Sequence, residues 1–123
     1  MSTAPIAQKI FEGIGAHGAW KHRLRMAIRT KTMDISPATA ACDNACEFGK
    51  WLYGPQVDAA TRAGIPYQVV RRLHADFHRS AGNVLSLVQR GDDAAAQQAM
   101  DHDFQPRSEK LVVALNKWRR EVS

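Results

Sequence analysis

Apolar positions in this chain recur at helical spacing almost from end to end. Ile10, Ile14, Trp20, Leu24 and Ile28 line up when successive residues are turned by about 100°, which predicts a first helix over 5–31. "DISPATA" then interrupts the pattern: Ser36 suits an N-cap and Pro37 the first helical position. A second helix is predicted from Pro37 to about Tyr53. "YGPQ" ends it, with Gly54 as the C-terminal signal and Pro55 opening a short helical turn. "AGIPYQ" is another break, and Pro66 starts a third long helix that runs to about Arg90. Gly91 stops that helix and Asp92 caps a fourth, which carries Leu111, Leu115, Trp118 and Val122 on one face. Pro106 lies inside the fourth and should kink or divide it. No alternating β-branched run is long enough for a strand. The expected fold is all-α: an antiparallel four-helix bundle with short connections and a short extra helix, built as one domain over 1–123.

Several polar side chains break these apolar stripes. Tyr67, Val70, His74, Phe77, His78, Ala81, Leu85 and Val88 share one face of the third helix. His74 and His78 stand at i and i+4, the spacing at which two imidazoles on one helix reach a common metal. His17 falls in the inward stripe of the first helix. On the second, Cys42, Cys46, Gly49 and Tyr53 share a face, so Cys46 is expected to point inward there. Phe48 and Leu52 lie on the opposite side. Gly49 would let a facing helix approach the Cys46 sulfur closely.

Three imidazoles and one thiolate make a complete tetrahedral zinc set, and that mixture favours zinc over magnesium or calcium. The bland alternative is hydrogen-bonded core histidines and a buried cysteine acting as a small hydrophobe. Both readings stand on spacing alone. His22 is turned about 140° from His17 and should face elsewhere, and His102 should be exposed beside Pro106. Cys42 is expected to pack, although as a second thiol it could substitute for Cys46 or resolve its oxidised form.

Composition narrows the classes further. The 123 residues are 45% hydrophobic and 24% charged, ordinary values for a globular domain. No apolar run approaches the roughly 20 residues needed to span a bilayer. The start has no secretory-signal pattern, so a cytoplasmic protein is expected. The net charge of +5 allows an acidic protein or nucleic-acid partner. Such a metal-free basic helical module is the alternative function. No aromatic residues interleave with the basic run, however, so solvated helix faces explain it better. Di-iron carboxylate ligands and the Cys-x-x-Cys-His haem signature are absent. Four protein ligands would also close the open position that a catalytic zinc keeps, so no catalytic residues are assigned.

"AHGAWKHRL" (16–24), "CEFGKWLYG" (46–54) and "LHADFHRSA" (73–81) resemble the three signature segments of the chemoreceptor zinc-binding domain family, CZB. The family's central motif is Cys-x-Leu/Phe-Gly-x-Trp-Leu/Tyr, and residues 46 to 52 fit it throughout. His17 with Trp20 matches its upstream His, and His74 and His78 match its His-x-x-x-His pair. Cys42 lies outside the motif. The resemblance covers essentially the whole chain and implies one zinc per protomer, held by His17, Cys46, His74 and His78. It further implies an all-α, two-fold homodimer with a regulatory role. In that role, zinc occupancy, or oxidation of Cys46 by hypochlorous acid, changes the output of a chemoreceptor or diguanylate cyclase. No effector domain lies within these 123 residues. Met1 and a helix finishing at Ser123 favour a stand-alone member over a piece of a longer protein.

Overall fold

The structure is a computed structural model that describes the backbone of residues 4–122 and the side chains of residues 6–122. The terminal features at Met1 and Ser123 lie outside the described residues. The described residues form seven α-helices in chain order: α1 (Ala4–Thr30), α2 (Pro37–Ala40), α3 (Glu47–Leu52), α4 (Ala59–Ala63), α5 (Ile65–Gln89), α6 (Asp93–Ala99) and α7 (Gln105–Val122). Among the described residues there is no strand, and no helix is long and apolar enough to cross a membrane.

The three long helices form the body. Helix α1 packs against α7 and α5, and α5 packs against α7. Their apolar stripes meet as the sequence pattern requires. Ile10, Leu24, Phe77, Leu85, Leu111 and Leu115 are fully buried, each contributing about 1.5–3 kcal/mol by leaving water. Trp118 closes one end of this core against Trp51 and Tyr67. Tyr67 is anchored there by its hydroxyl, which donates to the Leu52 carbonyl at 2.8 Å.

The helix boundaries follow the punctuation in the sequence. Ser36 accepts from the Thr39 amide and Pro37 opens α2. Gly91 adopts φ 78° beyond the end of α5, a left-handed conformation that glycine takes without a Cβ penalty. Asp92 then caps α6 by accepting from the Ala95 amide. Pro106 has no N–H to complete the helical ladder. The chain meets that defect with a π-helical stretch at Met100–Phe104 between α6 and α7. The extra helical turn expected after Pro55 forms slightly later, as α4, where Asp58 accepts from the Thr61 amide.

One predicted element is not continuous. The second helix, expected over Pro37 to Tyr53, is two short helices joined by an irregular strap, 41–46. The strap contains Asp43 and Asn44, whose side chains compete for backbone hydrogen bonds and favour turns over helix. The fold is all-α, and one of the four helices expected of a bundle is broken in the middle. The first half is held tightly. A Cβ at Gly82 would come within 2.6 Å of the Ala41 Cβ and 2.8 Å of the Pro37 carbonyl oxygen, so α2 lies directly on the α5 backbone.

Candidate metal centre

His17, Cys46, His74 and His78 converge. One ligand atom from each lies within 4.8 Å of the others. Helix α1 supplies the first, the strap supplies the sulfur, and α5 supplies the last two. All three histidines are buried and Cys46 is half-buried.

Backbone carbonyls set the orientation of two rings. His17 Nδ1 donates to the Gly13 carbonyl, one turn back on α1, at 2.7 Å. His78 Nδ1 donates to the Ala40 carbonyl at the end of α2, at 3.0 Å. These bonds place the hydrogen of each neutral ring on Nδ1 and leave the Nε2 lone pair facing inward. The two Nε2 atoms stand 3.3 Å apart. The Cys46 sulfur lies 3.4 Å from His74 Nε2 and 3.5 Å from His78 Nε2. Around a tetrahedral zinc, with Zn–N of about 2.0–2.1 Å and Zn–S of about 2.3 Å, ligand atoms sit about 3.3 to 3.6 Å apart. Three of the six pairs already have that spacing, and all six lie within 4.8 Å. Two inward lone pairs at this distance repel unless a cation lies between them.

A proton is a poor candidate for that cation. Burial pushes His17 down to about 4, partly opposed by the Gly13 carbonyl and reinforced by His78. Burial, with His17 and His78 nearby, pushes His74 down to about 2. His78 is also lowered by burial, against the Ala40 carbonyl and the Asp43 charge. The Cys46 thiol is raised by burial, opposed chiefly by the backbone amide of Gly49. Such a site resists protonation of its imidazoles and needs a positive ion to stabilise its thiolate. The residues present therefore fit zinc. His74 differs from the other two in that its Nδ1 is buried without a hydrogen-bond partner.

Aromatic rings wall the cluster. His17 lies edge-on to Phe48 and Phe77, at ring-centre distances of 5.6 and 5.0 Å, and Trp20 stands edge-on to His78 at 5.7 Å. Phe48 is pressed onto α1 at Gly13, where a Cβ would lie 2.5 Å from the ring. The walls keep the local dielectric low, which strengthens any charge held inside.

The way Cys46 is presented differs from the helical-face expectation. Cys46 is not inside a helix. It is the N-cap of α3, with φ −82° and ψ 161°, and its sulfur accepts from the Gly49 amide at 3.3 Å. The sulfur that takes the capping amide is thus the one turned toward the cluster, and the N-terminus of α3 favours the thiolate. Gly49 is needed for a different reason from the one its position on a helical wheel suggests. A Cβ there would lie 1.9 Å from the Asp43 carbonyl oxygen and 3.1 Å from Asn44 Cα. The close neighbour is the strap of the same segment, not a facing helix. Cys42 is also corrected: it is exposed rather than packed, because α2 ends before it, and its thiol donates to the Ala38 carbonyl at 3.3 Å. It is outside the cluster. His22 and His102 are exposed, as expected.

Gly49→Ala is accordingly expected to displace the strap, because the clash is with backbone that no rotamer relieves. The expected cost is about 3 kcal/mol of stability together with weakened zinc binding. Urea unfolding and zinc titration check it, and wild-type values for both would disprove the close approach.

Two supports escaped the sequence reading. The Gly13 carbonyl had a signal, since any inward histidine on a helix has the carbonyl of residue i−4 within reach. The Ala40 carbonyl had none, because it is brought to His78 from another helix.

A sequence model described as the chemoreceptor zinc-binding domain matches residues 17–85, a span that contains all four converging side chains. No curated protein matches the chain, and no solved structure does.

Proposed function

The chain belongs to the chemoreceptor zinc-binding domain family, and from that premise we propose that it is a regulatory zinc-binding domain whose ligands are His17, Cys46, His74 and His78. The observation that carries the ligand assignment is the convergence of four donor atoms within 4.8 Å, with the Nδ1–H bonds of His17 and His78 turning both Nε2 atoms inward. Zinc bound there would supply a cross-link between α1, the strap and α5.

The switch is proposed to act through Cys46. His74 and His78 share one rigid helix, and His17 projects from another. Cys46 sits on a short irregular segment and is the half-buried member of the set. Hypochlorous acid would oxidise its thiolate to sulfenic acid and be reduced to chloride, with the oxygen ending on the sulfur. A sulfenic acid is a poor ligand, so Cys46 would swing away while the imidazoles stay in place. The strap and α3 then move, and a partner reads that movement. The output is expected in chemotaxis or cyclic-di-GMP signalling, through a separate or attached effector in the cytoplasm. The protein is regulatory rather than catalytic in this reading, since four protein ligands leave no open position for substrate.

A two-fold homodimer fits the exposed apolar face that runs from the start of α5 onto α7. Ile65 and Val113 are 76% and 68% exposed there.

Elemental analysis combined with native mass spectrometry tests the proposal. The expected result is one zinc per chain in a dimer, lost on mild hypochlorous acid treatment. A folded protein that stays metal-free in added zinc would overturn it and leave the basic interaction module.

A further inference from the structure

The Cys46 sulfur is delivered by the strap, and the strap is held at three places. At its start, the Ala40 carbonyl accepts from His78 Nδ1. In its middle, the Asp43 carbonyl oxygen lies against the bare Cα of Gly49. At its end, Cys46 caps α3. Asn44 and Ala45 between them are exposed. One side chain of the strap reaches across to α3: the Asp43 carboxylate accepts a hydrogen bond from the Tyr53 hydroxyl. Tyr53 is the C-cap of α3. The bond therefore joins the chain just before Cys46 to the far end of the short helix that Cys46 begins. It closes a ring of backbone with the ligating cysteine inside it.

We infer that Asp43 and Tyr53 are a latch: positioning residues that hold the strap closed and so set how fast Cys46 can leave the zinc. The inference rests on the zinc reading of the four-residue cluster. Neither residue is in the cluster itself, and both act through the position of Cys46. Among the described residues the Tyr53 hydroxyl makes no other hydrogen bond, and the residue is only partly covered, at 37% exposure. Its hydroxyl therefore serves the strap rather than the core. The hydroxyl is held protonated by burial and by the bond to Asp43, its pKa moving upward, so it remains a donor at neutral pH. Helix α3 is six residues long and has little stability of its own. Without the latch, strap and helix would fray together and carry the sulfur outward. With it, Cys46 departs only when a charge-assisted hydrogen bond opens as well.

The test is a double-mutant cycle on the full chain in a Cys42→Ser background, which leaves Cys46 as the single thiol. Tyr53→Phe removes the hydroxyl and keeps the ring. Asp43→Ala removes the carboxylate. Each protein is loaded with zinc, and zinc transfer to excess 4-(2-pyridylazo)resorcinol is timed. Alkylation of Cys46 by iodoacetamide is timed in parallel. The loss of one hydrogen bond to a charged group predicts about tenfold faster zinc transfer and alkylation in each single variant. The double variant should be no faster than either single one, because both substitutions break the same bond. Zinc stoichiometry and helical circular dichroism should stay at the parent's values, which a general loss of structure would not allow. Parent-like rates in Tyr53→Phe, or effects that add in the double variant, would overturn the latch. If the parent itself takes up no zinc, the ligand reading fails and the latch with it. If it takes up one zinc and the variants release it at the parent's rate, the latch alone fails.

Discussion

Replacing Cys46 with serine is expected to weaken zinc binding by about a hundred- to a thousandfold without unfolding the domain. Structural zinc sites are worth about 10–16 kcal/mol over four ligands, or roughly 2.5–4 kcal/mol for each, and one ligand lost corresponds to that factor. Serine separates the two jobs of the residue. Its hydroxyl can still accept from the Gly49 amide as an N-cap, whereas the thiolate is gone. Cys46→Ala loses both and should be less stable than Cys46→Ser by about 1 kcal/mol. Cys42→Ser should bind zinc as the parent does, since Cys42 is exposed and bonded to the Ala38 carbonyl. Competition titration against a chelator of known affinity, with urea unfolding of the same samples, reads both quantities. Parent-like affinity in Cys46→Ser would exclude the sulfur from the site.

Acid is expected to unfold the zinc-free protein well before it unfolds the zinc-loaded one. The folded protein holds His17 near 4 and His74 near 2, both below the ordinary value of 6.5, and it lowers His78 as well. In the unfolded chain all three imidazoles take up protons as the pH falls through about 6.5. The unfolded state then binds more protons than the folded state, so stability is full above pH 6.5 and declines below it. Each such imidazole contributes a slope of about 1.4 kcal/mol per pH unit between its two values, so His17 and His74 together give about 3 kcal/mol per unit down to about pH 4, and His78 acts in the same direction. A domain with a stability of about 5–15 kcal/mol should thus lose about half of it or more between pH 6.5 and 4. Zinc held at the same nitrogens would move the loss to lower pH, until protons displaced it. Urea midpoints at pH 7, 6 and 5, with and without chelator, check this. A flat midpoint without zinc would mean that the imidazoles are not buried in the folded state.

The histidines were legible early because a helix converts spacing into direction. His17, His74 and His78 each sit in an apolar stripe of a long, regular helix, and each is buried where the stripe predicts. The same arithmetic gives the wrong setting for Cys46. It assumes that Pro37 to Tyr53 is helical throughout, and the segment unwinds between α2 and α3. The cysteine still reaches the cluster, as the N-cap of α3 rather than as part of a helical face. Cys42, assigned to the same face by the same assumption, ends up in solvent.

What the chain determined by itself is therefore its all-helical pattern, its main breaks at Pro37, Gly54, Gly91 and Pro106, and the inward direction of three imidazoles. These depend on residues within a few turns of one another, where local propensity and periodicity decide. Only the tertiary structure decided the rest. It set which carbonyls orient His17 and His78, why Gly49 has no room for a Cβ, and how Asp43 meets Tyr53 across α3. Each of these depends on a contact made when α2, the strap and α5 are pressed together. No helical period carries that information, because the strap has no period.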